Sequence, residues 1–383
     1  MKYFTSFYRD ERILLVVFLV GFLSMFRALG HSLAYDELTY VDIAINMADG
    51  RYFLGNEPTS IAPTLPLIIA FFNFFVPLKM ALVVSKFFCV LLALKGFDYF
   101  YRYCRLKHIS KPLAGLIVTV SLVNPISIEF FGRFYPESIV FFSFWGFMYY
   151  LSSRHSFQNF FKALLFLSIL VLSRYLFFVL SLIVAFDFFR HIREISNSSR
   201  YKLIAMALIA ISPILFWGFF VIGVESNNEL SFSYFDRFRD FDSLLVNIKA
   251  GLGLIVHPLG NRLNGPPAFI SLFLPITGYR NLPLSLSLLF FIILGYVFAD
   301  RRAEFKYLFY SVLLTMFGLV IAGTGFSRYW LVFLPAFYLA IVSFAHQLRL
   351  PEKWVYMLLR VVIFVYVIND VRLDYLYLSK FFS

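Results

Sequence analysis

Residues 62–80 read APTLPLIIAFFNFFVPLKM, and the fate of this stretch decides the fold. Its apolar run, 64–78, has about 15 residues and is flanked by Pro63, Pro66 and Pro77. A helix that crosses a bilayer needs about 20 apolar residues. A second apolar run, 79–101, follows at once. Upstream lies 31–60, with Asp36, Glu37, Asp42, Asp49 and Glu57 against Arg51 alone. Downstream lies 102–111, with Arg102, Arg105, Lys107 and Lys111. Basic loops stay in the cytoplasm. Passing from an acidic outside at 60 to a basic inside at 102 takes an odd number of crossings, so one of the two runs does not cross. The short, proline-bracketed one is expected to lie along the outer face as a juxtamembrane helix, with 79–101 as the span.

The same charge ledger orders the rest of the chain. An apolar helix over 13–30 follows Lys2, Arg9 and Arg12 without a small-residue cleavage site, and reads as a retained first span. Further spans fall near 112–129 and 138–151, with Glu129, Arg133 and Glu137 at the external turn. Residues 160–190 form a hairpin with Arg174 and Tyr175 at its outer tip, ending at the basic run Arg190, Arg193, Arg200 and Lys202. A span near 203–222 leads to a long external segment, 223–281, whose later part (251–274 in particular) is broken by Gly and Pro; parity does not decide whether it crosses. Spans near 282–299, 305–322, 329–347 and 354–369 follow. The expectation is an all-α, polytopic membrane protein of about 11 transmembrane helices in one domain over 1–383, with the first external loop at 31–78. The N-terminus is expected in the cytoplasm of an inner (plasma) membrane protein. The C-terminus is expected outside.

Composition agrees. Of 383 residues, 61% are hydrophobic and 15% charged, against about 45–50% and about 25% in a soluble domain. Mean hydropathy is +0.79. Disorder, collagen-like structure and nucleic-acid binding are excluded as classes, and the net charge of +12 reads as topology. Cys89 and Cys104 have no metal-ligand spacing and fall in or beside one apolar segment, so no disulfide is expected.

Ionisable groups at a membrane face are functional candidates. Those the ledger puts outside are Asp36, Glu37, Arg133, Glu137, Arg174, His257, Arg262 and Arg328. Each also has a plainer reading: a solvated loop start or helix cap for Asp36 and Glu37, an interfacial ion pair for Arg133 and Glu137, and snorkelling or interfacial anchoring for Arg174 and Arg328. A structural role is open for His257 and Arg262. Together, arginines and carboxylates on one face suit a reaction on a lipid-linked anion. Arginine clamps phosphate in a bidentate manner, and a carboxylate takes a proton from a hydroxyl.

Four passages in this order resemble the GT-C superfamily of membrane glycosyltransferases, in the branch of protein O-mannosyltransferases and lipid A aminoarabinose transferases. They are Asp36-Glu37 with Ala44 to Gly50 behind it, APTLPLIIAFF at 62–72, GRFYPESIVFF at 132–142, and the pair SRYLFF (173–178) and SRYWLVFLP (327–335). The resemblance runs from about 13 to 347. It implies a hexosyl- or pentosyltransferase that takes its sugar from a polyprenyl phosphate at the extracytoplasmic face. The acceptor would be an envelope glycan, a lipid or a protein. It implies Asp36 as general base, Glu37 and Glu137 as further site acids, and Arg133, Arg174 and Arg328, with His257 and Arg262, at the donor phosphate. No cofactor is required; a divalent metal is conceivable but unsupported, because arginines can neutralise the phosphate. The chain departs from the family in having Glu137 where Asp is common, in the wide spacing of Pro63 and Pro66, and in reading as short of the large external C-terminal domain of some relatives. An O-antigen-type polymerase, with arginines of 223–281 dominant, and a lipid or glycan transporter, with polar residues inside the spans, are the alternatives.

Overall fold

The structure, a computed structural model, describes residues 14–27, 33, 36–49, 61–153, 156–192, 197–228, 244–255, 271–273, 282–297, 302–322 and 325–382. The regular structure within them is helical. Helix α1 covers Leu14–Ser24. The next are α2 (Asp36–Ala48), α3 (Thr64–Phe75), α4 (Leu78–Leu106), α5 (Lys111–Leu122), α6 (Pro125–Phe131), α7 (Glu137–Ser152) and α8 (Phe157–Ser173). A 3₁₀ turn at Tyr175–Leu180 leads into α9 (Ser181–Ile192) and α10 (Asn197–Asn228). The remainder are α11 (Leu244–Gly251), α12 (Leu282–Val297), α13 (Arg302–Ala322), α14 (Ser327–Trp330), α15 (Leu334–Gln347) and α16 (Glu352–Phe382).

Helix α3 is what the prolines ask for. Pro63 precedes its first residue, and Pro77 stands before α4 with φ −53° and ψ 146°. Val76, the residue before Pro77, is extended at φ −139° and ψ 157°, as the proline ring demands of its predecessor. Twelve residues make a helix about 18 Å long, too short for a hydrocarbon core of about 30 Å. Its inner face, Leu65, Pro66, Ile69 and Ala70, packs on Tyr40, Val41 and Ala44 of α2 and on Cys89, Phe134 and Ile139. Its other face exposes Leu67, Phe71, Phe74 and Phe75, an apolar surface suited to the membrane interface. Helix α4 then runs for 29 residues and crosses.

Five helical stretches are long and apolar enough to cross alone: Leu78–Leu106, Arg200–Gly223, Phe305–Ala322, Ser327–Gln347 and Glu352–Ser379. Shorter helices stand at the other places of the ledger, and several of their boundaries lie close to those read from sequence. Helix α10 exposes Leu208, Ile209, Phe216 and Phe219 and buries little of itself, which only lipid makes tolerable.

Three readings are corrected. The span expected over 112–129 is broken: α5 and α6 meet at 62°. Pro125 has no N–H to continue the ladder, and buried Asn124 starts the second half instead, its side-chain oxygen accepting from Ile126 N at 2.9 Å while its amide donates to Leu272 O. The last span does not stop at 369; α16 continues to Phe382. Polar residues inside apolar helices, which the sequence reading tied to a transporter alone, are present: Lys86, Asp187 and Asp370 are buried there. Residues 256–270, including His257 and Arg262, lie outside the described residues.

The extension of α16 closes the topology. Arg27, just past α1, reaches Asp374 at 3.1 Å and Asp370 at 3.5 Å, and Ser24 donates to Asp374. The C-terminal ends of the first and last helices thus lie together. The turn after α6 seats beside them at Gly132, where an added Cβ would stand 2.5 Å from Met25 O and 2.8 Å from Ile128 O. Backbone atoms cannot yield cheaply. Gly132→Ala is expected to lower stability by about 1–3 kcal/mol, read as a fall in the thermal midpoint of detergent-solubilised protein. Gly218→Ala, with nothing within 4 Å, is expected to leave the midpoint unchanged or slightly raised. Equal midpoints for the two variants would contradict the packing.

Candidate active site

Asp36 and Glu37 open α2 in its first turn, where acids are favoured by the helix dipole. Neighbours on a helix point about 100° apart, and these two go to different partners. Asp36, a third exposed, accepts from Arg328 Nη1 at 2.9 Å. Glu37 is buried and accepts from the backbone N–H of Phe134 at 2.9 Å, fixing the 132–136 turn to α2. They therefore do not form a paired metal site. Among the described residues no three His, Cys, Asp or Glu side chains gather in a way that could hold an ion.

Glu137 begins α7 and is buried against Arg174, which caps the end of α8 in extended conformation. A break in the helix is needed here. The hairpin tip turns at Arg174, and Phe177 N returns to Arg174 O at 3.1 Å. Tyr175 next to it accepts from Trp217 Nε1 of α10 at 2.6 Å and donates to Ile61 O at 3.3 Å, so the tip is tied to α10 and to the entrance of α3. Arg328 lies in α14, at the start of the apolar stretch Ser327–Gln347. Its approach is set by Gly325, whose N–H donates to Ala250 O at 2.8 Å and whose missing Cβ leaves room for Gly251 O at 2.2 Å and Gly253 N at 2.5 Å.

Two acid–arginine pairs thus converge from distant segments: Asp36–Arg328 and Glu137–Arg174. They share aromatic neighbours. The Arg174 guanidinium sits 4.4 Å from the Tyr329 ring centre, and that of Arg328 lies 5.2 Å from both Tyr329 and Tyr135. Tyr40, one turn along α2 from Asp36, is buried in the electrostatic reach of all four charged groups. Burial pushes its phenol well above the ordinary range, and the two arginines only partly oppose this. Burial likewise pushes Tyr135 up to about 12, with Arg328 pulling back. Both phenols stay neutral and keep their protons for donation. At Arg174 burial works most strongly against the charge, and Glu137 together with Tyr329 and Tyr40 more than offsets it, leaving the guanidinium raised above its usual value.

Of the eight residues singled out by sequence, five come together here: Asp36, Glu37, Glu137, Arg174 and Arg328. Arg133 is placed differently. It pairs with Glu129 one turn earlier at 2.5 Å, on a more exposed flank. Between that flank and Glu37 stands Lys86, buried on α4 with its ammonium 5.3 Å from the Phe134 ring. Lys86 was legible as a lysine inside an apolar helix. Tyr40 and Tyr329 were legible in principle too: Tyr40 follows Asp36 by four residues, and Ser-Arg-Tyr occurs twice, at 173–175 and 327–329.

No protein-family model matches the chain, and no curated protein matches it. Among solved structures it is similar to ArnT from Cupriavidus metallidurans. The apo crystal structure superposes with a TM-score of 0.52 over 92% of this chain and 62% of that one, at 14% identity. The crystal structure bound to undecaprenyl phosphate superposes with a TM-score of 0.50 over 91% and 61%, also at 14% identity. The class defined by this architecture is the polytopic, all-α GT-C fold. ArnT, a lipid A aminoarabinose transferase, is a protein whose fold the chain shares, and the chain spans about three-fifths of its length.

The buried pair should weigh most on stability. Removing one partner of such a pair costs about 3–5 kcal/mol, whereas exposed pairs are worth about 0–1 kcal/mol. Glu137→Ala is therefore expected to lower the thermal midpoint far more than Glu129→Ala, whose carboxylate is 37% exposed. A larger loss from Glu129→Ala would show that the 137–174 pair is not the buried tie described.

Proposed function

We propose that this chain is a membrane glycosyltransferase that moves a sugar from a polyprenyl phosphate to an envelope glycan, lipid or protein hydroxyl, with inversion. The observation that carries the reading is the convergence of Asp36–Arg328 and Glu137–Arg174 at one end of a fold shared with ArnT, which has been crystallised with undecaprenyl phosphate.

Asp36 is the general base. It is paired with Arg328 and is the more exposed of the two α2 acids, so an acceptor hydroxyl can reach it. It takes the hydroxyl proton as the acceptor oxygen attacks the anomeric carbon. The bond from that carbon to the phosphate oxygen breaks on the opposite face, and polyprenyl phosphate departs with the electron pair. Arg174 and Arg328 stabilise the charge that develops on the leaving phosphate. Each uses part of its donor set on a carboxylate, and the Nε of each is buried without a hydrogen-bond partner among the described residues, so donor capacity remains. Glu37 holds the 132–136 turn and Glu137 holds Arg174. The reaction needs no cofactor in this scheme, since two guanidiniums supply the positive charge. Arg133 with Glu129 forms the flank of the site. The site faces away from the cytoplasm, with the N-terminus inside.

Asp36→Asn keeps the volume and removes the base. A strain lacking the protein should lose one sugar from a surface glycan, regained with wild type and not with Asp36→Asn, although the variant folds and still binds undecaprenyl phosphate. Near-normal transfer by Asp36→Asn would remove its role. Intact repeat units that fail to polymerise would replace this reading with that of a polymerase. Orientation is tested separately. Cys89 and Cys104 are buried, so background labelling is low. Ser379→Cys and Leu244→Cys should react with an impermeant maleimide from outside the cell, and Lys353→Cys only after the membrane is opened. The reverse pattern would invert the topology.

A further inference from the structure

We propose that Tyr329 is a positioning residue that holds Arg174 and Arg328 together as one two-pronged phosphate clamp. The inference rests on the reading above that a polyprenyl phosphate binds at this site.

Two buried guanidiniums close together repel, and each disfavours the charged form of its neighbour. Arg174 and Arg328 are close enough to do so. Asp36 pairs with Arg328 and Glu137 with Arg174, from different elements, α2 and α7, and Glu137 also lies in the electrostatic reach of Arg328. Tyr329 contacts both guanidiniums. Its ring lies 4.4 Å from the Arg174 guanidinium and 5.2 Å from that of Arg328, and its hydroxyl oxygen accepts from Arg328 Nη2 at 3.4 Å. The negative face of a phenol attracts a cation within about 6 Å, more strongly where water is excluded. The ring is itself fixed, buried and stacked on Phe326 with centres 5.7 Å apart and planes at 28°. One rigid aromatic group therefore sets the spacing of both cations.

The spare donors fit an anion. The Nε of Arg174 and that of Arg328 are buried and unpartnered among the described residues. Arg133 Nε is also unpartnered, but it stands on the Glu129 flank and Tyr329 does not hold it. A phosphodiester has oxygens enough to meet two arginines at once, which a single arginine cannot match in orientation. Tyr329 acts through the arginines in this scheme.

The test weakens the ring without changing its shape. Tyr329→Phe removes the hydroxyl, and the 4-fluoro, 3,5-difluoro and 3,4,5-trifluoro forms of phenylalanine at position 329 then drain the negative face stepwise. Binding of undecaprenyl phosphate to the full chain in detergent micelles is measured for each. Tyr329→Phe is expected to bind within about threefold of wild type, and affinity to fall stepwise to about tenfold weaker at the trifluoro form. In an Arg174→Ala background the fluorination series is expected to shrink markedly, because one of the two cations is gone. A flat series in a wild-type background, or one unchanged by Arg174→Ala, overturns the clamp while the phosphate-binding reading stands. Failure of the wild-type protein to bind undecaprenyl phosphate overturns both.

Discussion

Charge inside this chain is expensive, and the structure is organised around where it is tolerated. Arg174 and Glu137 are both buried, and Arg328 nearly so. None could stay ionised there alone, because desolvation costs several kcal/mol per ion. They persist because carboxylate and guanidinium meet in pairs, with aromatic rings filling the space between them. This condition fixes more than the pairs. To bring Asp36 to Arg328, α2 must fold back under the outer end of α14. To bring Glu137 to Arg174, the α6–α7 turn must meet the tip of the α8–α9 hairpin. The outer end of the bundle takes its form from these two requirements.

The surrounding elements serve the same end. Helix α3 cannot cross, so its buried face becomes a floor for α2, and through α2 for Asp36, Glu37 and Tyr40. The bend between α5 and α6 carries the chain sideways to the 132–136 turn, which Glu37 then holds. At the other edge, Arg27 ties α1 to the long last helix just before the chain enters α2. These ties are short and ionic or proline-set, which suits a region where hydrophobic burial gives no preference between protein and lipid.

Much of this was legible in the sequence because a bilayer imposes a simple rule. Apolar length and the sign of the loops order the crossings, so α4, α7, the α8–α9 hairpin, α10, α12 and α13 stand close to where the ledger put them. The short helix at 64–78 was legible from charge parity together with its length and its bracketing prolines. The break at Asn124–Pro125 was not foreseen, although Pro125 was in view, because hydropathy continues smoothly across it. The reach of α16 to Phe382 was missed because Asp370, Arg372 and Asp374 read as the end of a span, whereas pairing with Arg27 lets the helix continue.

At the site, sequence singled out residue types costly enough to matter, each next to the end of an apolar run. It could not assign partners. Asp36 and Arg328 are 292 positions apart, and no periodicity connects them. Arg133 and Arg174 are alike in sequence, each an arginine at an external turn, yet one pairs with Glu129 on a half-exposed flank and the other enters the buried centre. Which arginine goes inside depends on how α7 and α8 pack and on where Tyr329 arrives from the far end of the chain. Sequence determined where the apolar helices lie along the chain, because lipid acts on each segment separately. Tertiary structure decided the pairing, because in a low-dielectric interior a charge is stabilised only by the neighbours that the fold brings to it.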